Sequence, residues 1–494
     1  MNSKIVGTLM QNLVFPAMLL PTRSQATKLV KRMRQFQRWP LEKLRNRQLD
    51  RVRSLIEVAS QESIFYREKF ARSGLSNLDL NELSDLSSFP ITTKSDIEAN
   101  FPDRMVIASR RNSDWQYVGT RGTTRRIMVV HDFERRDLGR AAVMVALTED
   151  SPYCYGAKQI SIPPDACSVH CGVESTRADS VTEQFFAMAT RRIPWNRESV
   201  SDLRGLVMDQ WVQRSCTLPP LPLEGSDETL RDCVAAIRKH RPLQLVALPE
   251  YLRTLAEYIL RSGDTLPPIA VIRPMGANFP KSWTPEIESA FGGQLREHYG
   301  SREMGPMAFD CAKANGMHLL MDSHLIEIVK TDGTAAKSNE LGKVLVTDLH
   351  NFAMPIIRYE IGDLARVNYE SCSCGRTSPR IFLEGRVEDA LVTCDGRILT
   401  SDAVSNFFTN QKHVRDFELT EKRNGVWSLK VVPVNHDQLD SDALVIEFLA
   451  WAGESRSVTV RTVSTIRPEA SGKFRHVKNQ SDRRFGFAQG LPTC

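Results

Sequence analysis

Apolar residues recur at helical spacing between charged ones over residues 24–75, which predicts a helical arm at the start of the chain. From about residue 115 to residue 300, apolar strand-like runs alternate with segments of helical period. This alternation predicts a layered α/β domain with a partly parallel sheet. The predicted strands are 243–248, 269–275 and 294–299, and the predicted helices are 230–241, 251–260 and 285–291.

The second half of the chain changes from mixed α/β to strand-rich and then to a compact α+β pattern. Strands are predicted at 324–330, 342–348, 355–359 and 363–367, with a turn at Gly333. A short polar break at 385–389 precedes the last compact unit. We therefore expect an α/β fold with three parts. They are an N-terminal helical arm at 1–75, a large domain at 76–387 that includes a β subdomain at about 305–387, and a small mobile C-terminal domain at 388–494.

Bulk composition narrows the functional classes only slightly. A chain of 494 residues is too long for one core, and 41% hydrophobic with 25% charged residues is ordinary for a globular protein. The net charge of +6 is mild. It suits an anionic small ligand, and no long basic block interleaved with aromatics points to nucleic acid. Ten dispersed cysteines favour reduced thiols or metal ligands, and hence a cytoplasmic protein.

The apolar run at residues 9–20 is the one segment that raises the question of a membrane. It contains Gln11, Asn12 and Pro16, and a spanning helix needs about 20 apolar residues. A helix packed on the body of the protein is favoured. Weak membrane-surface contact and a signal peptide are the alternatives. The sequence leaves an oligomer open.

Two polar clusters inside apolar surroundings indicate a nucleotide site. Asp363 follows a glycine at a predicted strand end, where a carboxylate can accept two hydrogen bonds from sugar hydroxyls. Tyr299 could stack on a flat base, and Glu303 could hold Mg²⁺ through oxygen ligation. For the segment around Tyr299, a charged turn at a strand end is the alternative explanation.

Two loops add hydroxyl and cationic groups. The first can wrap phosphates through backbone N–H groups and hydroxyls, although it is not a Walker A loop; its residues are Thr120, Gly122, Thr123 and Thr124. The second contains Lys473, and a cation on a loop suits substitution at phosphorus, where negative charge accumulates. Taken alone, each is better explained as a solvated loop, so the order of the segments carries more information.

That order resembles the adenylate-forming superfamily of acyl-CoA synthetases, peptide-synthetase adenylation domains and luciferases. Within it the chain looks most like the phenylacetate–CoA ligase family, and closest to its coenzyme F390 synthetase and CapK-like branch. The resemblance covers roughly residues 25–480. The segments that carry this finer resemblance are IFYREKF at 64–70, FPITTK at 89–94 and CSCGR at 372–376.

The resemblance implies a role for each matching position. Thr120, Gly122, Thr123 and Thr124 would hold the β- and γ-phosphates of ATP, and Glu303 would serve Mg²⁺. Asp363 would bind the ribose with Arg386 beside it, Glu388 would be the hinge, and Lys473 would orient the substrate carboxylate and the α-phosphate. The adenine would be framed by Gly276, Ala277, Tyr299, Gly300 and Ser301.

The implied reaction is ATP-dependent activation of a small-molecule carboxylic acid. The carboxylate attacks the α-phosphate, giving an acyl-adenylate and pyrophosphate, and rotation of the small domain precedes transfer to a thiol. Coenzyme A is the expected acceptor by family majority. Transfer to an amine, a hydroxyl or a carrier protein, in specialised-metabolite or capsular polysaccharide biosynthesis, is the alternative.

The chain departs from the family pattern at three positions, and two of them, Arg125 and Asn278, motivate a rival interpretation. Arg125 stands where the phosphate loop usually has glycine, Ile127 where it has proline, and Asn278 where an acid often ends the adenine segment. The rival is a degenerate member that binds a nucleotide without catalysis. The acid itself cannot be read from these motifs, since every member would hold the same ribose.

A cysteine and histidine set indicates a metal site. Cys311, His318, Cys372 and Cys374 offer three thiolates and an imidazole, which suits tetrahedral Zn²⁺. The C-x-C spacing is a loose signal, so four residues without a metal are the alternative. In the resembling family these positions match a structural metal site, which implies a structural zinc here.

Overall fold

The structure of the chain is a computed structural model. It describes residues 25–75, 80–110, 115–119, 127–154, 157–163, 180–207, 215–221, 226–277, 279–313, 315–435, 439–467, 469 and 474–481.

Helices lie mainly in the first 300 residues and in the last 100. They are α1 Ala26–Phe36, α2 Leu41–Glu62, α3 Ile64–Arg72, α4 Lys94–Asn100, α5 Phe133–Thr148, α6 Val181–Ala189, α7 Arg197–Leu206, α8 Asp227–His240, α9 Pro249–Ser262, α10 Thr284–Phe291, α11 Ser401–Thr409 and α12 Ser441–Ala452.

Strands become frequent after residue 240. They are β1 Gln116–Gly119, β2 Met128–His131, β3 Gln159–Ile162, β4 Cys216–Thr217, β5 Gln244–Ala247, β6 Val271–Pro274, β7 Gln294–Leu295, β8 His298–Ser301, β9 Gly305–Asp310, β10 Met317–Leu319, β11 His324–Val329, β12 Gly342–Asp348, β13 Tyr359–Asn368, β14 Arg380–Arg386, β15 Leu391–Val392, β16 Ile398–Leu399, β17 Val414–Glu421, β18 Trp427–Pro433, β19 Val458–Thr462 and β20 Val477–Asn479.

The helices predicted at the start of the chain are confirmed as α1, α2 and α3. In α2 the buried residues recur three and four positions apart, so one face packs on the body of the protein. Further along, Thr93 caps α4 by accepting from the N–H of Asp96, whose side chain accepts from the N–H of Thr93 in return. This capping box fixes where α4 begins.

A five-stranded parallel sheet with the order β4-β3-β5-β6-β7 confirms the predicted α/β layer. Its strands and the helices α8, α9 and α10 share one core. One prediction here is wrong: the strand expected at 294–299 divides into β7 and β8, which belong to different sheets. The break turns the chain out of the parallel sheet into the next one.

The second large sheet has seven antiparallel strands in the order β11-β12-β13-β14-β10-β9-β8. The strand predicted at 363–367 is confirmed within β13, whereas the strand predicted at 355–359 is wrong, because residues 355–358 lie outside the strands and β13 begins at Tyr359. Inside β13, Gly362 adopts a φ of 92°, a backbone conformation that suits glycine. Gly333 has a φ of 84° at the predicted turn.

The last part of the described chain has its own core. A four-stranded sheet, β19-β18-β17-β20, packs with α11 and α12 around the fully buried Trp427. A 3₁₀ turn at Val387–Asp389 joins this unit to β14. The C-terminal unit contacts the parallel-sheet layer, because Arg253 on α9 donates to the carbonyl of Arg415 on β17 at 2.8 Å.

Among the residues described, no helix combines the length and apolar character needed to cross a bilayer. The apolar run at 9–20 lies outside them.

Candidate functional site

The site centres on Asp363, at the point where β13 faces β14. Asp363 lies opposite Arg386 in the strand register, and the Arg386 guanidinium donates to its Oδ1 at 2.9 Å. A Cβ placed on Gly362 would lie 3.0 Å from the Arg386 Nη2, so a side chain there would disturb this pair. Burial by itself lowers the pKa of Arg386, but the carboxylates of Asp363 and Glu388 outweigh it and raise the pKa.

Tyr299, on β8, is the second hydrogen-bond donor to Asp363. Its hydroxyl donates to Asp363 Oδ2 at 2.7 Å, and the residue is only 5% exposed. Burial and the adjacent carboxylate raise the pKa of Tyr299, so the phenol stays a donor. Each carboxylate oxygen of Asp363 is thus oriented by one donor and keeps a lone pair for a ligand.

Glu303 lies close by and is buried. The Tyr359 hydroxyl donates to Glu303 Oε1 at 3.5 Å, and its own pKa is raised by burial and by this carboxylate. The Glu303 carbonyl accepts from Nε2 of His131 at 2.9 Å. Burial and the charge of Arg135 lower the pKa of His131 to about 4, so the ring is neutral at physiological pH.

A buried ion pair holds the turn that carries Glu303. Arg135 on α5 donates through Nε to Asp348 at the end of β12, and through Nη2 to the Met304 carbonyl at 2.5 Å. Both charged side chains are at most 2% exposed. Burial alone raises the pKa of Asp348, yet Arg135 outweighs it and lowers the pKa to about 2. The pair therefore stays charged and rigid.

The predicted adenine-framing residues lie at close backbone approaches. Gly276 has a φ of 82°, and Ala277 follows it after β6. A Cβ on Gly300 would lie 2.7 Å from the Gly305 carbonyl oxygen, so only glycine fits between β8 and β9. The Ser301 hydroxyl accepts from the Met304 N–H at 3.1 Å and closes the turn. The contact of these residues with adenine stays a prediction.

Lys94, which the site prediction missed, belongs to this neighbourhood. It is the first residue of α4, two positions after Thr92, whose backbone forms a bridge with Tyr359 at the start of β13. Burial and the charge of Arg386 lower the pKa of Lys94, and Glu303, Glu388 and Asp363 act in the opposite direction. None of the hydrogen bonds or ion pairs described involves its ammonium group. The signal was the lysine that ends FPITTK, but sequence spacing could not show that this segment pairs with β13.

Several predicted residues lie outside the described part of the chain: Thr120, Gly122, Thr123, Thr124, Arg125, Asn278 and Lys473. Two positions after Lys473, Arg475 pairs with Asp389 and donates to Glu469 at 3.3 Å. Asp389 follows Glu388 in the 3₁₀ turn after β14. Burial raises the pKa of Asp389 to about 6, against the opposing charge of Arg475.

The four predicted metal ligands come together beside the interior strands β9, β10 and β14 of the seven-stranded sheet. The ligand atoms of Cys311, His318, Cys372 and Cys374 all lie within 4.8 Å of one another. His318 hydrogen-bonds the Ser378 carbonyl through Nδ1 at 2.9 Å, so Nδ1 carries the proton and Nε2 is left as a lone-pair donor. Burial lowers the pKa of His318 to about 4, which keeps the ring neutral. Three sulfurs and one imidazole fit tetrahedral Zn²⁺.

The chain is similar to known proteins in sequence and in fold. No model of a known protein family matches the chain. It is 24% identical over 405 residues to a phenylacetate–coenzyme A ligase of Thermus thermophilus, covering 78% of this chain and 80% of the relative. It is 27% identical over 364 residues to the phenylacetate–coenzyme A ligase of Escherichia coli, covering 71% and 73%.

Among solved structures, a 2-hydroxyisobutyryl-CoA ligase in its postadenylation state superposes with a TM-score of 0.64 at 17% identity, covering 90% of this chain and 91% of that one. The chain therefore shares the overall fold of that ligase, which confirms the predicted fold class.

Proposed function

We propose that this protein is an AMP-forming acid–thiol ligase, which activates a carboxylic acid with ATP and transfers the acyl group to coenzyme A. One observation carries the proposal: Asp363 is oriented by Tyr299 and Arg386 beside the buried Glu303. The similarity to phenylacetate–coenzyme A ligases over more than two thirds of the chain supports it.

In this proposal the large domain binds the nucleotide. Asp363 accepts from the two ribose hydroxyls, because both of its oxygens are already fixed by donors and keep free lone pairs. Glu303 provides an oxygen ligand for Mg²⁺. The proposed phosphate-binding groups are Lys94 and the hydroxyl-rich loop that contains Thr120, Gly122, Thr123 and Thr124. Gly276, Ala277, Gly300 and Ser301 frame the adenine.

The small domain supplies Lys473 to the substrate carboxylate and the α-phosphate. Negative charge grows on the phosphate oxygens as the carboxylate attacks, and a nearby cation stabilises it. Glu388 is the proposed hinge, because it lies in the 3₁₀ turn between β14 and the small domain. Rotation there would withdraw Lys473 and admit the thiol.

A structural Zn²⁺ at Cys311, His318, Cys372 and Cys374 is part of the proposal. It would tie the end of β9 and β10 to the loop before β14. The ion would act through stability, since it uses four protein ligands and leaves no open position. We also propose that the protein belongs to the coenzyme F390 synthetase and CapK-like branch. A cytoplasmic location, where ATP and coenzyme A are available, is part of the same proposal.

The test is mass spectrometry of products after incubation with ATP, Mg²⁺, coenzyme A and a panel of carboxylic acids. We expect AMP and an acyl-CoA, and a Lys473→Ala variant should lose acyl-adenylate formation. Lys412→Ala, an exposed lysine of the same domain, is the matched control. A folded protein that gives no pyrophosphate exchange with any acid and binds no ATP would sink the proposal. Products on an amine, a hydroxyl or a carrier protein would replace coenzyme A as the acceptor.

A further inference from the structure

Arg273 is a buried cation without an ionic partner among the described residues. It lies on β6 and is 2% exposed. Its Nε donates to Gln244 Oε1 at 3.3 Å, and its Nη2 makes a long contact of 3.5 Å to the Leu147 carbonyl. Its Nη1 is buried and has no hydrogen-bond partner. A buried guanidinium in this state is costly unless a ligand supplies the missing acceptor.

The surrounding charges leave a positive excess. Arg296 lies on the neighbouring chain segment, and its Nη1 is 4.0 Å from Asp310 Oδ2. Asp310 is a single carboxylate that feels the guanidinium groups of Arg296, Arg273 and Arg376 and the ammonium group of Lys281. Burial lowers the pKa of Arg273 to about 10, with Asp310 acting in the opposite direction, so the group is still charged at neutral pH.

His298 adds a second unused polar atom beside Arg273. The Arg296 N–H donates to the Ile272 carbonyl at 2.8 Å, which brings residues 296–298 alongside Arg273. The His298 Nδ1 is buried and has no hydrogen-bond partner. Burial and the charge of Arg273 lower the pKa of His298 to about 4. The ring is therefore neutral and can present an N–H at Nδ1.

Arg273 and His298 are close in sequence to residues of the proposed nucleotide site, and His298 lies on the opposite face of β8 from Tyr299. Arg273 lies three residues before Gly276, at the carboxyl ends of the parallel strands, where ligands bind in open α/β sheets. His298 precedes Tyr299 on β8, and successive side chains on a strand point to opposite faces. Tyr299 reaches Asp363, so His298 faces the other side of the strand.

We propose that Arg273 and His298 form a subsite for a second anionic group on the acid substrate, so that the preferred substrates are dicarboxylates. One carboxylate would be activated, and the other would accept from the Arg273 Nη1 and from the His298 imidazole. This rests on the proposed ligase function and names the substrate class of that same site.

The test uses acid pairs that differ only by a second carboxylate, namely hexanoate with adipate and phenylacetate with 4-carboxyphenylacetate. In ATP–pyrophosphate exchange, we expect wild-type kcat/KM to favour the dicarboxylate of at least one pair by about tenfold or more, equivalent to about 1.4 kcal/mol. Arg273→Met should abolish or reverse this preference while retaining activity on the monocarboxylate. Arg461→Met, which removes an exposed cation on β19, should leave it unchanged.

Binding without catalysis gives an independent readout. The dicarboxylate alone should raise the melting temperature of the wild type and of Arg461→Met, but not that of Arg273→Met. If Arg273→Met does not fold, Arg273→Lys and His298→Ala should each reduce the preference and the melting shift. Wild-type preference for the monocarboxylate in both pairs, or a preference unaltered by these variants, overturns the subsite and leaves the ligase function standing. Absence of exchange with every acid overturns the ligase function, and a melting shift then reports the subsite alone.

Discussion

Replacing Asp363 by asparagine is the sharpest test of the nucleotide site. Its side chain is 15% exposed, and its oxygens accept from Tyr299 and Arg386 at 2.7 and 2.9 Å. Asparagine keeps one acceptor oxygen, and its NH₂ group must face one of these two donors. One ribose hydroxyl therefore loses its charged acceptor, and the other keeps only a neutral one.

The expected loss of ATP-binding free energy in Asp363→Asn follows from ordinary hydrogen-bond energies. A bond to a charged group contributes about 1.5–3 kcal/mol and a neutral one about 0.5–1.5 kcal/mol. Loss of one charged bond and weakening of a second amount to about 3 kcal/mol, or about 150-fold in ATP affinity. The assay is calorimetric titration with ATP, together with the KM for ATP in pyrophosphate exchange.

A control separates ribose binding from general damage. Asp50→Asn makes the same chemical change on α2, where the Asp50 side chain is 76% exposed, and it should leave both quantities unchanged. Asp363→Asn should still unfold cooperatively, with a modestly lower melting temperature because one donor loses its acceptor. An ATP affinity within about twofold of wild type in a folded Asp363→Asn protein would refute the role of Asp363 as the ribose acceptor.

Three further predictions concern the framework around the site. Purified protein should contain one equivalent of zinc by elemental analysis. The Cys374→Ser variant should lose most of the zinc and melt at a lower temperature. Cys233 is a buried cysteine outside the cluster, so Cys233→Ser should keep the metal. Asp348→Asn should lower the free energy of unfolding by about 3–5 kcal/mol in urea titration, because it leaves the buried Arg135 unpaired; a loss below about 1 kcal/mol would contradict this reasoning. His476 contacts the Trp283 ring across the domains. Burial alone would lower the pKa of His476, but the Asp416 carboxylate raises it above 6.5, so the stability from this pair is complete below pH 6.5 and is lost as pH rises through the folded-state pKa. Unfolding measured across this window should show a decline that Asp416→Asn lacks, and equal slopes in both proteins would count against the pair.

Local sequence patterns predict many of the helices and strands, but they do not predict which sheet a strand joins. Helical spacing located α2, and the glycine turn at Gly333 was read correctly, because both depend on nearby residues. The segment 294–299 was misread as one strand, since its apolar pattern does not reveal which sheet each half joins. The apolar pattern at 355–359 predicts a strand, but residues 355–358 precede β13, because a local pattern does not show where the backbone begins to pair with its neighbours.

The sequence by itself determined the residue types of the site and their order along the chain. Asp363, Tyr299, Glu303 and the Cys₃His set were all identified from local chemistry and from resemblance to adenylate-forming ligases. These assignments need only the identity of a side chain and its neighbours in sequence.

Only the tertiary structure decided which of these groups meet. It set Tyr299 and Arg386 on the two oxygens of Asp363, brought Lys94 to the same neighbourhood, and left Arg273 buried without an ionic partner among the described residues. The physical reason is that sheet register and burial join residues far apart in sequence, and no local pattern records those distances.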